Sequence, residues 1–372
     1  MKKNHQNNLR VGITIGDVNG VGPEIILKAF LDSRLREMCI PILYGSSRVM
    51  NIYRKVLKIN KFQYNICRTP SQAQPRKLNI IECIPKLERV DIGQPSELGG
   101  KAAYLAVKRA VEDAMHKELD ALVTMPVDKA SFQLHDADFQ GHTELLAKAF
   151  GVEENLMMMV SEQMKVGLVT NHLPLAEVAR NLSENRIASK IRLMHECLRN
   201  DFNILKPNIA VLGLNPHAGD KGLLGNEDEE IIKPAVNKMR EAGMLVTGPY
   251  PADGFFGNLT YRRFDGIIAM YHDQGLIPFK LISGFEGVNY TAGMPFIRTS
   301  PDHGVAYDIA GKNLADPESF RLALYLALDI HRNRSENEEL KQNALSEVAV
   351  NTELPETELP EEEEENTELE TE

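Results

Sequence analysis

The chain lacks several features that identify common classes of protein. It has no tryptophan and only four cysteines in 372 residues, and no two cysteines form a C-x-x-C pair. Neither a disulfide framework nor a thiolate zinc site is therefore expected. No apolar run has the length of a membrane span, and the basic N-terminus leads into a strand-like run instead of a signal sequence. These absences predict a cytoplasmic protein that does not contact a membrane.

A basic excess is also missing. The net charge of −11 comes from Asn351–Glu372, which contains eleven glutamates and no lysine, arginine or aspartate, and the remainder has 42 acidic and 42 basic residues. Because nucleic-acid-binding surfaces carry an excess of basic residues, we expect no nucleic-acid partner. The end of the chain is rich in glutamate, threonine and proline without a core-forming pattern. Residues 335–372 are therefore expected to form a disordered acidic tail.

Three familiar catalytic and nucleotide-binding motifs are absent or incomplete. The chain has no G-x-x-x-x-G-K-[ST] phosphate-binding loop and no G-x-S-x-G nucleophile elbow. The block Gly16–Glu24, GDVNGVGPE, begins like a dinucleotide-binding fingerprint but lacks its third glycine. A Rossmann site is therefore only weakly supported at this position.

Strand-like and helical runs alternate along the chain. Leu9–Ile15, Ile40–Tyr44 and Ala121–Met125 read as buried strands, and Ser96–Leu119 repeats alanine and valine at helical spacing behind a serine cap. Alternation at this spacing predicts right-handed βαβ units, a mostly parallel sheet and hence an α/β fold. A last helix is expected over Pro317–His331.

Three apolar runs each lead to a histidine: VGLVT to His172, IAVLGL to His217 and IIAMY to His272. Any one of them alone is more often a capping or surface histidine. In open α/β sheets ligands bind beyond the carboxyl ends of parallel strands, so neighbouring strands would bring the three imidazoles to one crevice. Three neutral imidazoles suit Zn, Co, Ni or Fe better than Mg. Such a site could act as a Lewis acid on a substrate oxygen.

Positive charge and a helix start indicate an anionic ligand. Gly141–Glu144, GHTE, opens a helix, where free backbone amides and the Thr143 hydroxyl can bind an anion, although an ordinary helix cap is the alternative. Lys280 and Arg298 add positive charge, and Arg298 again ends a strand-like run. These residues predict a phosphate or carboxylate ligand.

Seven segments, in this order, resemble the 4-hydroxythreonine-4-phosphate dehydrogenase family of vitamin B6 biosynthesis over about Val11 to His331. They are GDVNGVGPE (16–24), VTMPVDK (123–129), GHTE (141–144), VTNHLPL (169–175), GLNPHAGDKG (213–222), YHDQGLIPFK (271–280) and GVNYTAGMPFIRTSPDHGVAYDIAG (287–311). The resemblance implies the fold of the isocitrate and isopropylmalate dehydrogenases, with two α/β/α domains, mostly parallel sheets and an active site in the interdomain cleft. The implied domains are residues 1–130 with 300–334, on the cofactor side, and 131–299, on the substrate, metal and dimer side.

The resemblance also implies a set of site residues and a homodimer in which the partner subunit can supply a metal ligand. The implied metal ligands are His172, His217 and His272. The implied substrate-binding residues are His142, Thr143, Lys280, Asn289 and Arg298. Positions that contact NAD in the wider superfamily correspond to His303, Gly304, Ala306 and Asn313.

The implied reaction is oxidation of 4-phosphooxy-L-threonine by NAD or NADP, with a divalent ion (Zn, Co or Mg), to 2-amino-3-oxo-4-phosphooxybutanoate. Loss of CO₂ then gives 3-amino-2-oxopropyl phosphate. Asp253 and Asp273 are candidate general bases, and either could instead orient a ligand histidine. The alternatives are a related dehydrogenase of 4-phosphorylated threonate or erythronate, a metal-dependent hydrolase, and a non-catalytic phosphometabolite-binding protein.

Overall fold

A computed structural model describes residues 9–343 except 85, 86 and 88. Within these residues, twelve strands form a single sheet. The strands are β1 Arg10–Thr14, β2 Ile40–Gly45, β3 Tyr64–Cys67, β4 Leu78–Glu82, β5 Ala121–Thr124, β6 Leu156–Val160, β7 Lys165–Leu168, β8 Asn208–Leu212, β9 Leu245–Tyr250, β10 Gly266–Ala269, β11 Val288–Ala292 and β12 Ile297–Pro301.

The described residues also form twelve α-helices. They are α1 Gly22–Phe30, α2 Leu35–Met38, α3 Ser47–Val56, α4 Glu97–Met115, α5 Lys129–Gln133, α6 His142–Phe150, α7 Leu175–Val178, α8 Glu184–Asn200, α9 Lys233–Glu241, α10 Ala252–Gly257, α11 His272–Ser283 and α12 Glu318–Gln342.

Two parallel sets of strands make up most of the sheet, whose order is β3-β4-β2-β1-β5-β12-β11-β6-β7-β10-β8-β9. Pairing is parallel from β3 to β12. It is parallel again from β7 to β9. Between the sets, β11 pairs antiparallel with β12 and β6, and β6 pairs antiparallel with β7. The predicted α/β fold with a mostly parallel sheet is confirmed.

The sheet lies in the core of the protein. Every residue of β2, β5, β6 and β10 is buried, as expected for strands whose two faces are both covered. Helix α4 begins where the sequence predicts, because the Ser96 hydroxyl accepts a 3.0 Å hydrogen bond from the Gly99 amide. Its buried face is the predicted stripe of small residues, which includes Ala103, Ala106 and Ala110.

Helix α12 continues beyond the predicted end at His331, so the prediction of disorder is wrong for residues 335–342. Polar contacts with α8 and the residue after it explain the extension. The Arg334 guanidinium lies 2.6 Å from the buried Asp201 carboxylate, and the Asn337 amide donates a 3.0 Å hydrogen bond to the Asn200 carbonyl. The rest of the predicted tail, 344–372, lies outside the described residues.

The sheet runs without interruption through both predicted domains. Strand β12 starts in the predicted second domain and ends in the first, and it pairs with strands of both, β5 and β11. The division into residues 1–130 with 300–334 and 131–299 stays a prediction. No helix in the described part of the chain is long and apolar enough to cross a membrane, and the cytoplasmic location also stays a prediction.

Candidate active site

A cavity of about 370 Å³ lies beside the carboxyl ends of β5 and β12 and the loop after β7. Such strand ends are the usual ligand sites of α/β sheets. Residues of both predicted domains line the cavity. Eight of the predicted site residues are among them: His142, Thr143, His172, Lys280, Asn289, Arg298, His303 and Gly304.

Arg298 is the buried cation of this cavity, with only 5% of the residue exposed. Its Nε and Nη2 atoms donate hydrogen bonds of 3.0 and 2.8 Å to the Thr124 hydroxyl. Its Nη1 atom has only 3.5 Å contacts, to the hydroxyls of Thr143 and Thr291. Burial lowers the pKa of Arg298 to about 10, and nearby Glu144 partly opposes this. A buried guanidinium with hydroxyl partners favours an anionic ligand that completes its hydrogen bonds.

The N-terminus of α6 faces the same cavity. His142 and Thr143 occupy its first turn, where backbone N–H groups and the helix dipole favour an anion. Burial, together with the positive charges of Arg298 and Lys129, lowers the pKa of His142 to about 3. The ring is therefore neutral near pH 7 and can give or accept a hydrogen bond without carrying charge.

Unpaired polar atoms concentrate in this cavity. In the described part of the chain, six buried side-chain nitrogen or oxygen atoms have no hydrogen-bond partner. Four of them belong to cavity-lining residues: His142 Nε2, Asn171 Oδ1, Asn289 Oδ1 and His303 Nε2. Because buried polar groups are normally paired, this cluster indicates that a polar ligand supplies the missing partners.

Lys280 reaches the cavity from α11 and forms a 3.2 Å ion pair with Asp302. Burial raises the pKa of Asp302, while the ammonium of Lys280 opposes the rise. The pair places a positive charge at the cavity, beside a carboxylate that partly neutralises it.

The three strands that lead to the predicted metal ligands are parallel neighbours, in the order β7-β10-β8. The rings of His172 and His272 lie together, with centroids 5.8 Å apart. His272 Nδ1 is 2.7 Å from Asp273 Oδ1, which leaves Nε2 as its other donor atom. Desolvation, together with the charge of Lys129, lowers the pKa of His172 and favours the neutral, metal-binding form of the ring.

His217 does not join this pair within one chain. Among the described residues, no group of three or more histidine, cysteine, aspartate or glutamate side chains is placed to hold a metal ion. His217 lies in the turn Pro216–Gly222, where it and the next four residues all have positive φ. The donors present fit a divalent transition ion in part, since two neutral imidazoles lie close together and a further ligand is needed.

Buried polar side chains connect the three strand ends. The Thr170 hydroxyl donates a 2.7 Å hydrogen bond to the Met270 carbonyl. The Gln274 side chain accepts a 2.7 Å bond from the Met270 amide and donates a 2.6 Å bond to the Gly213 carbonyl. This chain of bonds fixes the backbone just before His172, His217 and His272.

The segment with the predicted cofactor residues packs against the block GDVNGVGPE. The Val21 amide donates a 3.0 Å bond to the Val305 carbonyl, and a Cβ atom on Gly20 would lie 2.7 Å from that carbonyl. The Tyr307 hydroxyl donates a 2.7 Å bond to Asp17. His303 and Gly304 line the cavity, whereas Ala306 and Asn313 do not. The block therefore supports the 302–317 loop, and the cofactor contacts stay predictions.

The two candidate bases have different positions. Asp273 contacts His272 directly, which matches the role of orienting a ligand histidine. Asp253 is an exposed residue of α10, a helix adjacent to the turn that carries His217. Neither carboxylate is among the described residues that line the cavity, so a role as general base stays a prediction.

The sequence-based selection missed several residues of the cavity wall. Thr124, Lys129 and Asn171 all line it, although all three lie in segments that carry the family resemblance. Their position in the sequence was informative, because Thr124 is the last residue of β5 and the other two lie a few residues beyond the end of a strand. The sequence does not give the orientation of these side chains, because a motif does not show which of its residues face the ligand.

The fold and the site define an α/β protein whose ligand site lies at the ends of parallel strands. A solved structure of 4-hydroxythreonine-4-phosphate dehydrogenase from Klebsiella pneumoniae is similar to this chain, with a TM-score of 0.78 and 34% identity. The similarity covers 88% of this chain and 99% of that one. The family model for pyridoxal phosphate biosynthetic protein PdxA matches residues 37–327. The chain belongs to this family, as the sequence resemblance predicted.

Two relatives in the family differ in the substrate that they are named for. A 4-hydroxythreonine-4-phosphate dehydrogenase from Bacteroides thetaiotaomicron is 46% identical over 91% of this chain and 93% of its own length. A D-threonate 4-phosphate dehydrogenase from Cupriavidus necator is 37% identical over 87% of this chain and 98% of its own. Members of one family are thus named for different phosphorylated substrates.

Proposed function

We propose that the protein oxidises 4-phosphooxy-L-threonine with NAD or NADP to 2-amino-3-oxo-4-phosphooxybutanoate, which loses CO₂ to give 3-amino-2-oxopropyl phosphate. The observation that carries the proposal is the buried guanidinium of Arg298, which lies beside the N-terminus of α6. Among the described residues it has no carboxylate within ion-pair distance. A phosphorylated polar substrate supplies what this cavity lacks. The 46% identity to a relative named for this activity supports the same reaction.

Four side chains hold the phosphate in this proposal. Arg298 Nη1 donates to a phosphate oxygen, and the Thr143 hydroxyl and the α6 amides donate to others. Neutral His142 gives a hydrogen bond without adding charge. Lys280 moves from Asp302 toward the ligand, and Asn289 contacts its polar groups. Binding at the phosphate fixes the orientation of the distant reacting carbon, which lowers the entropic part of the barrier.

The reacting end of the substrate lies near His172 and His272. A divalent ion held by these imidazoles, with His217 of a second copy as the further ligand, would lower the pKa of the substrate hydroxyl and polarise the keto group of the acid that decarboxylates. Asp273 accepts from His272 Nδ1 and so presents Nε2 as the ligand atom. Asp273 or Asp253 would take the hydroxyl proton. His303, Gly304, Ala306 and Asn313 would hold the nicotinamide cofactor, which would supply the hydride acceptor.

We further propose that the protein is a homodimer whose active site lies near the subunit interface and in the cleft between the two predicted domains. The segments that follow the three histidines expose large apolar side chains, and exposed apolar patches of this kind favour protein contacts. They are Leu173 and Leu175, Leu223 and Leu224, and Ile277, Leu281 and Phe285. A second copy would cover this surface and supply the ligand that the single chain does not bring to the His172 and His272 pair.

The test is an NADH absorbance assay on 4-phosphooxy-L-threonine and the 4-phosphorylated forms of threonate and erythronate. We expect turnover of the amino substrate that is lost after verified chelation and restored by a divalent ion. Faster turnover of threonate 4-phosphate would favour the second candidate, which the Cupriavidus necator relative supports. Absence of NADH formation from every substrate would leave a hydrolase or a binding protein as the explanation.

A further inference from the structure

One cation of the cavity has no assigned role. Lys129 is the first residue of α5. It is exposed to solvent and lines the cavity. No carboxylate of the described residues lies within ion-pair distance of it. The carboxylate of neighbouring Asp128 caps α5 instead, because its Oδ1 accepts bonds of 2.9 and 2.5 Å from the Ser131 amide and hydroxyl. Lys129 therefore presents an unpaired positive charge to the ligand space.

The backbone before Lys129 is held in place. The Asp17 amide donates a 3.0 Å bond to the Pro126 carbonyl, and the Met125 amide donates a 3.3 Å bond to the Thr14 hydroxyl. Gly16 allows this close approach, since its φ is +73° and a Cβ atom would lie 2.6 Å from the Pro126 carbonyl oxygen. The GDVNG block thus supports the loop that carries Lys129, and a supported loop places a charge with little loss of entropy on binding.

Lys129 shares the cavity with residues from both ends of the proposed site. Lys129, His142 and His172 line the same cavity, and the Lys129 charge contributes to the lowered pKa of both rings, after burial. His142 belongs to the proposed phosphate end, and His172 to the proposed reacting end. The substrate of the proposed function has two anionic groups, and Lys280 has to leave its ion pair with Asp302 before it can contact either of them.

We propose that Lys129 is a substrate-binding residue that contacts an anionic oxygen of the ligand lying between Arg298 and His172. This inference depends on the proposed function for the identity of the substrate, whose phosphate and carboxylate are the two possible sources of that oxygen. Arg298 and Lys129 are the cavity cations that form no ion pair within the described residues. Together they match the two anionic groups.

The test compares K129Q and K129R with the wild type. For K129Q we expect the KM for 4-phosphooxy-L-threonine to rise by about 10-fold or more, as for loss of a hydrogen bond to a charged group. K129R keeps the charge and should retain most of the affinity. The KM for NAD and the melting temperature should stay unchanged. The matched control is K148Q, because Lys148 is also an exposed lysine but does not line the cavity.

Competitive inhibition by inorganic phosphate shows whether Lys129 contacts the phosphate or the carboxylate of the substrate. A rise in its inhibition constant in K129Q identifies the phosphate as the partner, and an unchanged constant with a raised substrate KM identifies the carboxylate. A substrate KM within twofold of the wild type, or an equal rise in K148Q, overturns the inference. If the wild type turns over no substrate, the proposed function fails separately. In that case, the affinity for 3-phosphoglycerate, which carries both a phosphate and a carboxylate, is measured by calorimetry for the wild type and K129Q. Weaker binding to K129Q supports the inference, and equal binding overturns it.

Discussion

Arg298 donates two hydrogen bonds, of 3.0 and 2.8 Å, to the single hydroxyl oxygen of Thr124. The two residues lie on neighbouring parallel strands, β12 and β5. This arrangement fixes the plane of the guanidinium through its Nε and Nη2 atoms. The remaining nitrogen, Nη1, is left with long contacts only, so it is the atom available to the phosphate.

The first prediction concerns this pair. R298K keeps a positive charge but loses the planar fork, and T124V removes the acceptor that orients it. We expect R298K to raise the substrate KM by about 100-fold and T124V by about 10-fold, with smaller effects on the KM for NAD. Steady-state kinetics measures both. R180K is the control, since Arg180 is an exposed surface residue, and equal KM values for R298K and R180K would contradict the proposed phosphate site.

The second prediction concerns Gln274, which joins the strand ends before His272 and His217. Q274L keeps the approximate volume but loses both bonds. We expect divalent-ion affinity, measured by calorimetric titration of Zn or Co, to fall by about 10-fold. The same titration on Q163L should match the wild type, because Gln163 is exposed. Unaltered affinity in a folded Q274L protein would show that this link does not position the ligands.

The third prediction concerns the exposed side of α11. Leu281 lies in the last turn of α11 and Phe285 just beyond its end, and they are 81% and 89% exposed. L281D places a charge in the proposed dimer contact, so we expect sedimentation velocity to show a monomer. L205D is the matched control, since Leu205 is also 81% exposed but precedes β8 on a different segment. A dimer that persists in L281D would exclude α11 from the interface.

The fourth prediction concerns pH. The pKa of His142 is about 3 in the folded protein, below its ordinary value of 6.5, chiefly because of burial. The unfolded chain therefore binds a proton at this position below about pH 6.5 while the folded protein does not, so acidification destabilises the fold. H142Q removes this contribution. Urea unfolding at neutral pH and about pH 5 should show that the wild type loses about 2 kcal/mol more than H142Q. Equal losses would indicate that His142 is protonated in the folded state.

The sequence predicts the strand ends of the site well. Buried parallel strands are unbroken apolar runs, so the sequence predicts the strands that precede His172, His217 and His272. These strands, β7, β8 and β10, are neighbours in the sheet, in the order β7-β10-β8. The distances between the three histidines could not be predicted from the sequence. Whether His217 reaches the other two depends on the conformation of the turn after β8 and on what covers it, and neither is encoded in apolar spacing.

Other parts of the fold depended on long-range contacts. Strand β9, Leu245–Tyr250, was not predicted because its sequence LVTGPY contains glycine and proline, which are unusual inside a strand. The extension of α12 depends on Arg334 and Asp201, which are far apart in the chain. The family resemblance located most of the cavity wall, whereas the unpaired atom of Asn171 is visible only in three dimensions.

The place of β12 in the sheet has a consequence for protein synthesis. It lies between β5 and β11, and it joins the first parallel set to the rest of the sheet. A nascent chain that has not yet reached Ile297 leaves β5 as an open strand edge, and open edges are sites of aggregation. The first part of the chain leaves the ribosome early but completes its sheet late, so it needs protection while translation continues.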